Sequence, residues 1–241
     1  MAKRKKKQPT SWKKIIATLI LAALVMLYNM YQDANVVSYS MEDIPPYSGE
    51  AFVHLDGNRP TFTAEELARA AEGAYETYAE LDHLGRVGVA EACVGRELMP
   101  TESRGSISSV KPTGWEQAYY DFVDGDALYN RCHLIGFQLT GENANKQNLM
   151  TGTRYFNVVG MLPFEDLIAD YVYDTGNHVL YRVTPAFEGT NLLAYGVQME
   201  GWSVEDGGES VCFNVFCYNV QPGVELDYAT GENWATEEAA A

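Results

Sequence analysis

From residue 177 onward, the chain consists of short apolar segments separated by turn residues. The segments HVLYRVTP, NLLAYGVQMEGWSV, VCFNVFCYNV and VELDYATG are rich in β-branched and aromatic residues, and Gly, Asn and Pro lie between them. Apolar segments of this length, joined by short turns, favour strands that pair with antiparallel neighbours. The pattern predicts an antiparallel sheet in the second half of the chain, and the remaining elements have to cover that sheet.

The first half of the chain contains signals for one helix and one further strand. Thr63 and Glu66 have the spacing of a capping box, and the helix-forming residues after them predict a helix that continues to about Leu81. The next segment, RVGVAEACVG, has the apolar character of a buried strand. Helices together with an antiparallel sheet indicate an α+β fold.

A second helix is predicted between the two halves, over TRYFNVVGMLPFEDLIADYVYDTG. We expect Pro163 to break or kink this helix, because proline lacks the backbone N–H and crowds the preceding turn. Gly176 follows the predicted helix end, as glycine commonly does. One folded domain of residues 51–234 accounts for these elements, and the Ala- and Glu-rich residues 235–241 are predicted to form a disordered tail.

The N-terminal region joins a basic cluster to an apolar segment. Seven of the seventeen lysines and arginines lie within the first fourteen residues, directly before IIATLILAALVMLYNMY. A helix over those apolar residues would be about 25 Å long, slightly shorter than the hydrocarbon core of about 30 Å. We predict a transmembrane signal anchor at 15–31, a basic cytoplasmic tail at 1–14 and a folded domain on the outer side of the membrane.

A cleaved signal peptide is the alternative, since it has the same basic start and apolar centre. Residues 32–50 contain turn residues without a helical period, which predicts a stalk that leads to the domain. Both alternatives export the domain and so permit disulfides. The pairing of the four cysteines cannot be read from the sequence: Cys93, Cys132, Cys212 and Cys217.

The segment ALYNRCHLIGF is apolar enough for a strand, yet it carries Arg131 and His133. Two residues that are two positions apart share one face of a strand. A packed, hydrogen-bonded core histidine is one interpretation. The other is catalytic, because a histidine can deprotonate water and an arginine can hold a phosphate oxygen with two hydrogen bonds. Asn148 and Asn157 follow, and an amide oxygen is a ligand that suits Mg²⁺.

Together these residues resemble the DNA/RNA non-specific endonuclease family, of the His-Me finger (ββα-metal) class, and most closely its membrane-anchored DNA-entry type. The family pattern is D-R-G-H, then an Asn ahead of the helix, a metal-binding Asn on the helix and a Glu eight residues further on. The corresponding positions here are NRCH (Asn130 to His133), Asn148, Asn157 and Glu165. The resemblance extends through FNVFCYNVQPGVELDYATGE, so it covers about residues 104–232.

The resemblance implies a ββα-metal motif that cleaves DNA, and also RNA, without strong sequence preference. His133 would be the general base and Arg131 would stabilise the phosphate and the leaving group. Asn157 would bind Mg²⁺ directly, with Mn²⁺ as a substitute, and Glu165 would bind the metal through water. Pro163 puts the alignment of Asn157 with Glu165 in question, because a kink at the proline would turn the two side chains apart. The alternative for Glu165 is an ordinary acidic residue in the first turn of a helix that starts at Pro163.

The chain departs from the family pattern at two positions. Asn130 replaces the aspartate and removes a negative charge near the site, whereas Cys132 replaces the glycine and adds a side chain on the opposite strand face. Asn130 and Asn148 are assigned supporting roles. Cys132 next to His133 also suggests a thiol hydrolase, but adjacent strand residues face opposite ways and cannot pair as nucleophile and base.

The formal net charge of −16 is unusual for a protein that binds nucleic acid. Residues 96–157, however, contain six basic and seven acidic side chains, so the region of the motif is nearly neutral. Few phosphate contacts are expected. The candidate substrate-binding residues are Arg104, Lys111, Lys146 and Arg154, each of which has an ordinary solvated charge as the alternative. A surface-anchored binding module that has lost the chemistry is the second functional interpretation.

Overall fold

The computed structural model describes residues 12–35 and 41–239, which belong to two compact units. The first unit contains one helix, α1 (Trp12–Asn35), whose described side chains between residues 14 and 27 are all exposed. No helix in the described parts of the chain is both long and apolar enough to cross a membrane. The anchor at 15–31 stays a prediction, and residues 1–11 of the predicted basic tail lie outside the described residues.

The second unit begins with a short helical turn at Met41–Asp43 and contains the rest of the described chain. Its strands are β1 (Phe52–His54), β2 (Tyr75–Tyr78), β3 (Ala90–Val94), β4 (Tyr129–His133), β5 (Leu149–Thr153), β6 (Val179–Ala186), β7 (Gly196–Ser203), β8 (Cys212–Tyr218), β9 (Val224–Leu226) and β10 (Asn233–Ala235). Its α-helices are α2 (Ala64–Ala70), α3 (Phe137–Thr140) and α4 (Leu162–Thr175), and a π-helical segment, Phe156–Met161, directly precedes α4.

Six strands form one antiparallel sheet in the order β1-β8-β7-β6-β3-β2. The long strands β6, β7 and β8 are neighbours, and each pairs with the next one in the chain. Their pairing confirms the antiparallel sheet predicted from the short apolar segments. An α+β fold is therefore present, with this sheet as its largest element.

The helix predicted from Thr63 to Leu81 is correct only in its first half. The capping box at Thr63 and Glu66 is formed, but α2 ends at Ala70 and the chain continues into β2. Gly73 lies between the two elements with φ of 128°, a conformation that residues with a Cβ atom seldom adopt. The tyrosine-rich segment that follows forms β2 because it pairs along β3 at the edge of the sheet.

A hairpin and a helix form a second arrangement beside the sheet. β4 and β5 pair with each other as a separate two-stranded antiparallel sheet, and β5 leads into the helical stretch that includes α4. The strand predicted within ALYNRCHLIGF is confirmed at Tyr129–His133. The strand β5 was not predicted: its residues were assigned to the loop and helix after His133, because LMTGT has neither strict alternation nor a long apolar run.

The main hydrophobic core lies between the six-stranded sheet and the π-helical and α4 segments. Ile168 and Val172 of α4 are fully buried and pack in the same cluster as Val183 and Val215 of the sheet. The Cys217 thiol donates to the carbonyl of Gly160 in the π-helical segment at 3.4 Å, so helix and sheet are in direct contact. This packing holds the helix in place beside the hairpin.

Two terminal segments differ from the predicted stalk and tail. Ile44 is buried in a cluster with Phe216, and the hydroxyl of Tyr218 donates to the Pro45 carbonyl at 2.6 Å, so this part of the predicted stalk packs on the domain. At the other end, β10 pairs with β9, and the Thr236 amide donates to the Gly223 carbonyl. Residues 36–40 and 240–241 lie outside the described residues.

The four cysteines are all free thiols, and three of them are buried: Cys93, Cys132 and Cys217. Cys132 points into the core, where it lies close to Gly152 and Phe156, whereas His133 points the other way. Burial raises the pKa of the Cys132 thiol far above its ordinary value, so this thiol stays protonated. A Cys132–His133 catalytic pair is excluded by this geometry.

Candidate functional site

A cavity of about 480 Å³ is lined by β4, by the segment after it, by the helical stretch and by the loop ahead of β4. Seven of the residues singled out in the sequence line this cavity: Arg104, Asn130, Arg131, His133, Arg154, Asn157 and Glu165. Residues as far apart in the chain as Arg104 and Glu165 are therefore gathered around one space. Lys111 and Lys146 do not line it.

The His133 ring is held in one orientation from both of its nitrogens. Nε2 lies 2.8 Å from the carbonyl oxygen of Asn143, and a carbonyl can only accept, so Nε2 carries the proton. Nδ1 is then the nitrogen with the free electron pair, and it accepts from Nη2 of Arg104 at 3.3 Å. Nδ1 is the atom of this ring that is able to take a proton from a substrate or a water molecule.

The surroundings of His133 keep the imidazole neutral. Burial is the largest effect and lowers the pKa of His133, the Asn143 carbonyl partly offsets it, and the positive charge of Arg104 lowers the pKa further. The folded protein therefore binds a proton at His133 less readily than the unfolded chain does. His133 therefore lowers the free energy of unfolding as the pH falls below about 6.5, the ordinary pKa of a histidine side chain.

The pKa of His133 measured by NMR titration is expected to lie below 6.5 and to rise in Arg104→Ala, because that variant removes a positive charge beside Nδ1. The signal is identified by its loss in His133→Gly. Arg154→Ala is the matched control: Arg154 lines the same cavity but is paired with Asp124, and it should leave the pKa unchanged. An unchanged pKa in Arg104→Ala would contradict the contact.

Arg131 lies on the same strand as His133, but several of its donors are already engaged. Its Nε donates to the Val110 carbonyl and its Nη2 to the Ser108 carbonyl, and the guanidinium lies 4.1 Å from the centre of the Trp115 ring. Arg131 therefore holds the loop ahead of β4 as well as lining the cavity. Within the described part of the chain, two of the five N–H groups of Arg131 are engaged in these bonds, and the others can donate to an anion.

Asn157 and Glu165 lie on one helical stretch, residues 154–175, that continues through Pro163. The expected break at Pro163 is not found. A π-helical segment lies directly before α4 instead, and its wider turn accommodates the missing N–H of the proline. In a regular α-helix, eight residues rotate by roughly 800°, which leaves two side chains about 80° out of line. The extra residue of the π-turn offsets about 100° of that rotation, and both side chains face the cavity.

Glu165 is a buried carboxyl group that forms no ion pair with the residues that the structure describes. Its Oε1 atom is buried and has no hydrogen-bond partner in the described part of the chain. Burial raises the pKa of Glu165 to about 8, although a hydrogen bond from the Gly136 backbone and the charge of Arg104 act in the opposite direction. A buried carboxyl group of this kind is stabilised by a nearby cation.

Asn148 and Asn130 have different surroundings. Asn148 is fully buried, and its amide accepts from the Ile135 N–H at 2.9 Å and donates to the Ile135 carbonyl at 3.0 Å. It therefore fixes the backbone just after His133. The Nδ2 group of Asn130 is buried beside the cavity and has no hydrogen-bond partner among the described residues.

A model of the DNA/RNA non-specific endonuclease family matches residues 65–205, which is more than half of the chain. The chain belongs to this family. The matched region of the endonuclease includes β4, β5 and α4, and so every residue proposed above for the cavity.

Solved structures of other nucleases share the fold of this endonuclease. NucA from Streptococcus agalactiae with magnesium ion bound has 27% sequence identity and a TM-score of 0.67, over 77% of this chain and 87% of NucA. The same protein with no metal bound has 25% identity and a TM-score of 0.68, over 86% and 95%. The Sda1 nuclease with bound zinc ion, at 20% identity and a TM-score of 0.62 over 83% and 100%, shows the fold alone.

The cavity of the endonuclease fits a divalent cation that keeps most of its water ligands. No group of three or more His, Cys, Asp or Glu side chains in the described residues is arranged to hold a metal. Mg²⁺ needs fewer protein ligands than zinc and prefers oxygen atoms. The amide oxygen of Asn157 and the unpaired Oε1 of Glu165 are oxygen atoms of this kind on one helical stretch.

Three contributors to the endonuclease site were not predicted from the sequence. The Asn143 carbonyl orients His133, the Gly136 backbone contacts Glu165, and Trp115 supports Arg131. Two of these act through the backbone, which carries no signal in the residue type. Trp115 could have been noticed as the single tryptophan beside the motif, but nothing in the sequence indicates which side chain it contacts.

Proposed function

We propose that this endonuclease hydrolyses phosphodiester bonds of DNA and RNA with a divalent cation and with His133 as the general base. The observation that carries the proposal is the orientation of His133, whose Nε2 is bound to the Asn143 carbonyl while Nδ1 contacts Arg104, another residue of the cavity. The hairpin β4–β5 with the following helix is, in this proposal, the ββα-metal motif of the His-Me finger class. Hydrolysis then begins with water near Nδ1.

His133 takes a proton from the attacking water as the new P–O bond forms, while the P–O bond to the leaving oxygen breaks and that oxygen takes a proton from solvent water. For this step Nδ1 has to be free, so Arg104 has to leave the position in which it donates to Nδ1. A phosphate group in the cavity supplies the competing acceptor for that guanidinium. The lowered pKa of His133 keeps the ring unprotonated, and thus able to act as a base, at neutral pH.

Asn157 would hold the divalent cation directly, and Glu165 would hold it through water. When bound, Mg²⁺ supplies positive charge next to the phosphate and the leaving oxygen. The magnesium ion in the NucA structure supports this choice of metal, and Mn²⁺ is the expected substitute. Asn157 and Glu165 position the cation; the proton transfer belongs to His133.

Three arginines at the cavity are proposed to bind the phosphate backbone. Arg104 contacts His133 directly, and Arg131 lies two residues before His133 on the same face of β4. Arg154 lines the cavity and is paired with the exposed carboxylate of Asp124, an ion pair that a phosphate can replace. Lys111 and Lys146, the other two candidate substrate-binding residues, do not line the cavity.

Conversion of supercoiled plasmid to nicked circles is the direct test. Nicking is expected with Mg²⁺, and none is expected with a chelator in place of the metal. An RNA substrate should be cleaved under the same conditions. The alternative, a binding module of the same fold without catalysis, predicts that the protein retards plasmid in a gel but leaves it supercoiled at every Mg²⁺ concentration.

Binding of duplex DNA to the His133→Gly variant is expected to depend weakly on salt. Contact with two or three phosphates predicts a slope of log affinity against log salt between about −1.8 and −2.7. Arg104→Ala should make the slope shallower by about 0.9, the value of one contact, and Lys146→Ala should leave it unchanged. A slope typical of six to ten contacts, or an equal effect of the two variants, would contradict the assignment.

In this proposal the nuclease domain acts outside the cell membrane, held by residues 15–31 or released after their removal. The support is the basic cluster ahead of an apolar helix whose described side chains are exposed. Cell fractionation distinguishes the two forms, since an anchored protein is recovered with membranes and a released one from the medium. Recovery from the cytoplasm alone would contradict both.

A further inference from the structure

Gly136 lies closer to Glu165 than any residue with a side chain could. A Cβ atom placed on Gly136 would be 2.7 Å from Oε2 of Glu165, 2.8 Å from its Cδ and 2.9 Å from its Oε1. Real Cβ atoms essentially never approach other heavy atoms within 3.0 Å. The carboxylate of Glu165 therefore occupies the space that a side chain at position 136 would need.

The backbone conformation of Gly136 does not itself require glycine. Its φ of −56° and ψ of 143° are accessible to any residue, so an alanine there would introduce no backbone strain. The close approach to Glu165 is the feature that demands the absence of a Cβ atom. A substitution at this position therefore tests the contact with Glu165 alone.

The backbone at Gly136 is fixed relative to His133 by Asn148. The Asn148 side chain binds both the N–H and the carbonyl of Ile135, and its own carbonyl accepts from the Leu134 N–H at 2.9 Å. Three backbone groups between His133 and Gly136 are thus tied to one fully buried residue. The Gly136 backbone has little freedom to retreat from Glu165.

We propose that Gly136 is a positioning residue that sets the place of the Glu165 carboxylate in the cavity, and with it the affinity for the divalent cation. This inference rests on the proposed function, because it takes Glu165 as part of the metal site. Gly136 lines the cavity but has no side chain with which to bind a substrate or a cation. It leaves room for the Glu165 carboxylate beside the backbone that follows His133. Oε1 of that carboxylate has no hydrogen-bond partner in the described chain.

The test is the Mg²⁺ affinity of Gly136→Ala, measured by titration calorimetry on the full chain without substrate. We expect affinity to fall by about tenfold, the lower end of the effects seen when a residue that supports a metal ligand is changed. Gly160→Ala is the matched control, since Gly160 lies in the helical stretch of Asn157 and a Cβ there meets its nearest atom at 3.5 Å. The control should bind Mg²⁺ as the wild type does.

A shortened carboxylate provides the decisive second variant. Glu165→Asp alone should weaken Mg²⁺ binding because its carboxylate is withdrawn by one methylene group. In the Gly136→Ala background the same change makes room for the new methyl group, so the double variant should bind Mg²⁺ more tightly than Gly136→Ala alone. The effects of the two substitutions are then not additive.

Each outcome bears on the proposal. Equal affinities of Gly136→Ala and Gly160→Ala, or simple additivity in the double variant, would overturn it. If Gly136→Ala does not fold, refolding of the double variant supports the contact, and an unfolded double variant overturns it. If Asn157→Ala and Glu165→Gln also leave Mg²⁺ affinity unchanged, the metal site of the proposed function fails as well, whereas weakened binding in both confines the failure to Gly136.

Discussion

His133→Gly is expected to lower the rate of plasmid nicking by about two to four orders of magnitude, the usual contribution of a general base. The variant should remain folded, because the backbone on either side of the residue is held by strand pairing and by Asn148. The Mg²⁺ concentration for half-maximal activity should stay close to that of the wild type. A histidine that bound the metal would instead weaken the Mg²⁺ dependence.

Free imidazole should restore part of the rate of His133→Gly, since the deleted ring leaves a space next to Nδ1's former position. Restoration should increase with pH as the added imidazole loses its proton, which occurs near pH 6.5 to 7. The wild-type enzyme should show a plateau that begins at lower pH, because burial and Arg104 lower the pKa of His133. Rate is measured against imidazole concentration, pH and Mg²⁺ in the same variant.

The variant Asn157→Ala is the control for this rescue, because Mg²⁺ prefers oxygen ligands and the nitrogen of imidazole is a poor substitute for the amide oxygen. Rescue of both variants by imidazole would indicate an effect on the substrate rather than on the missing ring. Rescue of His133→Gly by excess Mg²⁺ alone would assign the residue to the metal. A purely structural histidine predicts a lower melting temperature with a normal rate in the folded fraction.

Asn157→Ala is expected to abolish cleavage, and Glu165→Gln is expected to raise the Mg²⁺ requirement without abolishing turnover. The difference follows from the proposed roles, since Asn157 binds the cation directly and Glu165 acts through water. A change in a residue that supports metal binding lowers affinity by about 10- to 100-fold, so excess Mg²⁺ should recover most of the Glu165→Gln rate. Nicking rates across a range of Mg²⁺ concentrations measure both effects.

Val159→Ala serves as the control for Asn157→Ala. Val159 lies two residues further along the same π-helical segment and is 44% exposed, so its truncation disturbs neither the core nor the cavity. Its rate and Mg²⁺ dependence should match the wild type. Asn157→Asp retains an oxygen atom in place and should keep a measurable rate. Full activity of Asn157→Ala would remove Asn157 from the proposed metal site.

Residue composition was sufficient to predict the long strands that are buried along almost their whole length. β6 to β8 are long, almost completely buried and rich in apolar residues, so their composition identifies them. β2 and β5 are short, and their conformation depends on a neighbouring strand rather than on their own residues. Pairing of this kind cannot be read from a local pattern.

The site shows the same division between residue type and geometry. The sequence contains a histidine, an arginine, amides and a carboxylate at spacings that resemble those of an endonuclease family. The π-turn before Pro163 decides that Asn157 and Glu165 face one cavity. Regular helical geometry would separate them by about 80°, so the alignment depends on packing around the proline.

The sequence by itself determined the α+β class, the antiparallel sheet and which residue types are available for chemistry, because composition and periodicity are local properties. The tertiary structure alone decided which nitrogen of His133 can accept a proton and how deeply Glu165 is buried. It also decided that position 136 has no space for a side chain. Those properties arise from a backbone carbonyl, from burial and from the Glu165 carboxyl group, which would lie less than 3 Å from a Cβ atom at position 136. They exist only once the hairpin, the helix and the segment between them have packed together.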